Sequence, residues 1–266
     1  MCIICEGNYD VNMTELYCSQ CPLLTTIPDT LTKLTTLYCS CCPLLTSIPD
    51  TLINLIRLDC HSSPLKSIPD TLTKLAIIVC YTCPLLTTVP DTLINLTYLH
   101  CSSCPLFKSI PNTLTNLTIL VCSYCPLLES IPDSRMVQMP KASSLINLTE
   151  LYCSCCPLLK SIPNTMTKLT TLYCSSCPLL KSVPDTLTNL TILSCCSCPL
   201  LTSIPKNNFN YINKSSCKWL TPNNDKINNL VKIQRKCKKY LQLRHETILT
   251  SLIDYLPREV ILYCVL

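Results

Sequence analysis

Residues 37–57 read "LYCSCCPLLTSIPDTLINLIR", and residues 16–36, immediately before them, read "LYCSQCPLLTTIPDTLTKLTT". Taken alone, the C-x-x-C spacing in each is half of a zinc site. With 25 cysteines in 266 residues, a zinc module and a disulfide framework are both open readings. The agreement of the two stretches at leucine, proline and cysteine points elsewhere, because a recurring period has to be explained before any motif inside it.

The unit starts again at Leu58, Ile78, Leu99, Leu120, Leu151, Leu172 and Leu193. Nine units of 21 residues result: the third is one residue shorter, the sixth carries the insertion "SRMVQMPKAS" (Ser134–Ser143), and the ninth loses the pattern after Pro205. A zinc centre needs four converging ligands. Here the spacing recurs at every unit without a paired histidine motif, and Ser63 stands where the third unit would carry its second cysteine. The cysteines are therefore read as rungs of a ladder.

Period-2 alternation over Leu37, Tyr38 and Cys39 makes a short strand that points its first and third side chains inward and its second outward. Stacking then buries one column, Cys18, Cys39, Cys60, Cys80, Cys101, Cys122, Cys153, Cys174 and Cys195, as small hydrophobes. A second column, Cys21, Cys42, Cys83, Cys104, Cys125, Cys156, Cys177 and Cys198, is placed to give weak thiol hydrogen bonds to the bending backbone, with Ser63 as a substitute. Pro-Leu-Leu then turns the chain away. "IPDT" begins a tight return in which Asp29 or Asp50 is positioned to cap a turn.

Written from the preceding leucine, the unit is L-x-x-L-x-C-x-x-C-P-L-L-x-x-I-P-D-T-L-x-x-L. Across residues 11–205 it resembles the leucine-rich repeat, L-x-x-L-x-L-x-x-N/C-x-L. The resemblance implies an α/β solenoid, a horseshoe with one short parallel strand per repeat and a 3₁₀ or extended convex side. Three regions follow: an N-terminal cap or degenerate repeat over 1–15, in which Cys2 and Cys5 mimic a shortened rung; the solenoid over 16–205; and a small, basic, α-helical region over 206–266.

Solenoids recognise partners on the concave face built from their strands. The outward positions are Tyr17, Tyr38, Arg57, Asp59, His61, Tyr81, Tyr98, His100, Tyr124, Tyr152 and Tyr173, interleaved with serines from Ser19 to Ser175. Tyrosine offers rigid amphipathic area and serine adaptable hydrogen bonds, so a protein-binding face is predicted, although both residue types also suit a plain solvated strand face. Arg57 is the lone cation of this set, whereas a nucleic-acid surface would carry a lysine and arginine stripe. His61 beside Asp59 is the nearest approach to a nucleophilic constellation, and no enzyme activity, cofactor or metal is expected. A metal-binding or redox protein using Cys41, Cys155 and Cys196, which lie outside the two columns, is the alternative.

Composition narrows the reading further. One glycine against 21 prolines excludes a glycine-rich phosphate cradle. No apolar run reaches the roughly 20 residues of a membrane helix, and "MCIICEGNYD" lacks the basic and apolar regions of a secretory leader. An intracellular monomer with reduced thiols and no membrane partner is expected. The Asn-x-Thr sequons at Asn12, Asn95, Asn116, Asn147 and Asn189 are then by-products of the repeat.

The net charge of +5 is uneven: residues 206–266 hold 11 Lys and Arg against 4 Asp and Glu, leaving −2 for the rest. In this tail Ile227, Leu230, Val231, Cys237 and Leu241 have helical spacing. "IQRKCKKYLQLR" partly resembles the calmodulin-binding IQ motif through Ile233, Gln234 and Lys238, with Lys239 and Leu243 departing from it. The closing "LPREVILYCVL" resembles the opening of an F-box through Leu256, Pro257, Glu259, Val260 and Leu262. That resemblance implies docking on the adaptor subunit of a cullin ubiquitin ligase while the repeats hold a substrate. An apolar cap over the end of the solenoid accounts for the same residues. The Cys-rich units and the Asn/Ile/Lys-rich tail together are similar to leucine-rich-repeat proteins of amoeba-infecting, mimivirus-like giant viruses. This implies a setting in the host cytoplasm and a host protein as partner.

Overall fold

The computed structural model describes residues 2–133 and 145–217. Of the region expected to be α-helical, 206–266, residues 206–217 are described and hold no helix; the rest of it, with the IQ-like segment and the F-box-like Leu256, Pro257, Glu259, Val260 and Leu262, lies outside the described residues, as does the insertion at 134–143.

Ten three-residue strands succeed one another: β1 (Glu15–Tyr17), β2 (Thr36–Tyr38), β3 (Arg57–Asp59), β4 (Ile77–Val79), β5 (Tyr98–His100), β6 (Ile119–Val121), β7 (Glu150–Tyr152), β8 (Thr171–Tyr173), β9 (Ile192–Ser194) and β10 (Tyr211–Asn213). They form one parallel sheet in chain order, and each strand pairs with the next in the same register, Leu16 with Leu37, Leu37 with Leu58 and onward. The register follows from the alternation, since a slip of one residue would turn every buried leucine to solvent. The inward leucines and both cysteine columns join the convex-side leucines in one continuous core from Leu16 to Leu201.

Irregularities of the repeat leave the ladder intact. Ile119 still pairs with Glu150 across the sixth-unit insertion. In the short third unit Leu65 occupies the buried place that Leu45 and Leu86 fill in its neighbours.

The rungs are tied by side chains reaching one unit back. Second-column thiols donate to first-column carbonyls, Cys42 Sγ to Cys18 O at 3.2 Å and Cys104 Sγ to Cys80 O at 3.1 Å, and Ser63 Oγ does the same to Cys39 O at 3.1 Å. On the convex side Asn95, Asn116, Asn147 and Asn189 donate through Nδ2 to carbonyls of the preceding unit. Four of the five sequon asparagines therefore hold the stack together, satisfying carbonyls that a three-residue strand leaves unpaired.

Three expectations change. The solenoid does not end at Pro205: β10 continues the ladder, with Ser216 and Cys217 repeating the turn and Cys217 Sγ donating to Cys195 O at 2.8 Å. On the convex side separate turns, such as Leu34 N–H to Leu31 O at 3.1 Å, alternate with irregular stretches such as 24–28, and no 3₁₀ helix is present among the described residues. At the "IPDT" element it is the aspartate carbonyl that bonds, accepting from the next unit's threonine, as in Thr51 Oγ1 to Asp29 O and Thr71 Oγ1 to Asp50 O, both 2.7 Å.

The scarcity of glycine has a structural counterpart. Gln20, Cys41, Ser62, Thr82, Ser103, Tyr124, Cys155, Ser176, Ser197 and Ser216 all sit in the left-handed region, with φ between 55° and 61°. Each precedes a second-column position and turns the chain off the strand. The turn is held because its N–H reaches the next rung, as Cys41 N–H does to His61 O at 2.8 Å.

Candidate functional site

Each rung gives the concave face the two flanking residues of its strand and the first residue beyond the buried cysteine. Parallel in-register pairing lines these up into columns, so side chains of successive rungs stack. Three groups of the predicted residues come together this way.

At the N-terminal end the Tyr17 and Tyr38 rings stack with centroids 4.8 Å apart and planes 11° apart, and the Arg57 guanidinium lies 5.3 Å from the Tyr38 centroid. At the other end Tyr152 and Tyr173 repeat the stack at 5.1 Å and 13°. Each stack is anchored by a carboxylate two residues earlier on the same strand: Tyr17 donates to Glu15 at 2.8 Å and Tyr152 to Glu150 at 2.9 Å. These hydrogen bonds raise the Tyr17 pKa. For Tyr152 burial is the larger cause and the Glu150 bond the next, together pushing it up to about 12. Neither glutamate was singled out from the sequence, although the i to i+2 relation on a strand is a signal that would have found them.

Between the stacks lies a polar cluster. The Tyr81 ring meets His61 edge-on at 4.3 Å and His100 at 4.8 Å. His61 Nδ1 is 3.8 Å from Asp59 Oδ1, and that oxygen accepts a 2.6 Å hydrogen bond from Ser40. Burial lowers the pKa of both histidines, with Asp59 opposing this at each and His61 adding to the effect at His100. Arg57 Nε and His61 Nδ1 are buried without a hydrogen-bond partner among the described residues. Both face the concave side, and buried polar atoms of this kind are normally satisfied.

Other predicted residues stand apart. Tyr98 opens β5 beside the cluster, while Tyr124, half exposed, occupies the left-handed turn and therefore the rim of the face. The serine run is largely engaged in structure: Ser19, Ser102, Ser123 and Ser154 each accept, through Oγ, the backbone N–H of the next rung's serine at 3.1 Å. Cys41, Cys155 and Cys196 are partly buried, and none joins a convergent set of metal-ligating groups among the described residues. Such a set does occur at the N-terminal cap, where Cys2, Cys5 and Cys21 meet. There burial raises the Cys21 pKa, but hydrogen bonds from Cys2, Leu23 and Cys5 outweigh it and bring the thiol down to about 7.

The leucine-rich-repeat family model matches residues 12–34, 33–55, 95–117, 147–169 and 168–190. The described residues have the fold of a leucine-rich-repeat solenoid. Among solved structures it is similar to the leucine-rich-repeat domain of the type III effector XopL, at 22% identity and TM-score 0.62 over 78% of each chain. It is also similar to YopM, a leucine-rich effector protein from Yersinia pestis, at 18% identity and TM-score 0.54, over 81% of this chain and 68% of that one. These are likenesses of fold. No curated protein matches the sequence. The concave face supplies aromatic stacks, a histidine–aspartate cluster and two polar atoms without hydrogen-bond partners among the described residues. That inventory suits recognition by shape and hydrogen bonding.

Proposed function

We propose that this chain is a non-catalytic protein-interaction module that holds a partner protein on its concave face. The observation that carries the reading is the pair of stacked tyrosine platforms on either side of the Asp59, His61, Tyr81 and His100 cluster. Stacked tyrosines lose little side-chain freedom on binding, and a central, partly desolvated polar patch supplies specificity. Leucine-rich repeats serve as interaction modules, and the effector proteins of similar fold are consistent with a host protein as the partner. The test is photo-crosslinking from a reactive residue at Tyr38 or Tyr173, compared with one at the convex Thr51, in extract of the host. Partners captured from the concave positions and lost on Tyr81→Ala support the reading; equal capture from Thr51 contradicts it.

A finer role is that of substrate-recognition adaptor for a host ubiquitin ligase in the cytoplasm, with Leu256, Pro257, Glu259, Val260 and Leu262 docking the cullin adaptor subunit. Its support is the F-box resemblance of those residues. Copurification of that subunit, abolished by Leu256→Asp, is the expected result; its absence from the full chain rejects the role.

A further inference from the structure

Inside the solenoid the second-column thiols are engaged by the backbone. Second-column sulfurs from Cys42 onward donate to a backbone carbonyl of a preceding rung at 3.1–3.3 Å. The first rung differs because no complete rung precedes it. Cys21 Sγ lies 3.5 Å from Cys5 Sγ, which lies 3.7 Å from Cys2 Sγ. All three sulfurs fall within 4.8 Å of one another, the one such convergence of cysteine, histidine or acidic groups among the described residues.

We propose that Cys2, Cys5 and Cys21 are thiolate ligands for a zinc-type cation that fastens the N-terminal segment to the first rung. A zinc–sulfur bond of about 2.3 Å sets tetrahedral sulfurs about 3.8 Å apart, close to the two separations seen. The local backbone suits a chelating turn. Glu6 N–H bonds Cys2 O at 3.2 Å, Gly7 N–H bonds Ile4 O at 3.0 Å, and the chain's single glycine, Gly7, takes the left-handed φ of 69° that ends it. Cys2 and Cys5 are half-buried, so the cation can enter from solvent, and the fourth position is taken by water or another external ligand. Binding replaces three thiol protons, which leave to solvent.

The test uses the full chain purified under reductant, stripped with chelator and titrated with Co²⁺, then Zn²⁺. One Co²⁺ per chain with a tetrahedral thiolate spectrum, displaced by one equivalent of Zn²⁺, is expected. Cys2→Ser and Cys5→Ser, both outside the repeat core, should abolish it, while Cys41→Ser and Cys155→Ser retain it. Zn²⁺ should raise the unfolding midpoint of the wild-type chain and leave that of Cys5→Ser unchanged. No saturable binding, binding that survives Cys5→Ser, or a Cys2–Cys5 disulfide in the reduced preparation overturns the proposal. None of these outcomes bears on the concave face, where both tyrosine stacks lie.

Discussion

Ser63 shows how much of the ladder is polar bookkeeping in an apolar core. Fully buried, it accepts from Cys42 N–H and donates to Cys39 O, both at 3.1 Å. Ser63→Ala leaves both groups unpaired and should destabilise the chain by about 1–3 kcal/mol, whereas Ser63→Cys restores the thiol of the other rungs and should lose less. Urea unfolding of the two variants checks the order. A second single-residue prediction concerns Thr82, a β-branched residue held at φ 57°. Left-handed backbone costs most side chains about 1 kcal/mol, and asparagine tolerates it best after glycine, so Thr82→Asn should raise the unfolding midpoint. The bonding role of Ser63 was legible in the sequence because it replaced a cysteine at a fixed place. The strain at Thr82 was not, since its usual marker, glycine, is missing from the repeat.

At the scale of elements, each strand is legible from three residues because Leu-x-Cys alternation leaves one way to face the core. β10 escaped because "NYIN" carries no leucine and Lys214 stands where the first-column cysteine should be; its parallel pairing with β9 carries the rung instead. The convex turns escaped because Pro-Asp-Thr suits a 3₁₀ start and a lone turn alike. The column across β3, β4 and β5 has a pH consequence. His61 and His100 have folded pKa values below 6.5, chiefly because burial disfavours their charged forms. Above 6.5 both folded and unfolded chains hold neutral histidines. As pH falls through that value the unfolded chain binds protons first, so stability drops until the folded pKa is passed. The unfolding midpoint should therefore fall as the pH drops below about 6.5, and His61→Gln with His100→Gln should flatten that fall.

For the whole molecule, the fold was readable because one solution repeats: a unit that cannot bury its own leucines is completed by its neighbours. The concave face was readable in its membership but not in its grouping, since the tyrosine platforms depend on which outward positions coincide in successive rungs. The N-terminal meeting of Cys2, Cys5 and Cys21 depends on how the shortened first turn sits against β1, which no period encodes. The central claim is that the cysteines of both columns, Cys21 apart, are reduced packing groups of a stacked core. Pulsed alkylation of the reduced, chelator-treated native chain, read by peptide mass spectrometry, tests it most directly. Cys41, Cys155 and Cys196 should label quickly, while the column thiols from Cys39 to Cys198 label at the rate of unfolding. Uniform labelling, or disulfides within the columns, would contradict the ladder.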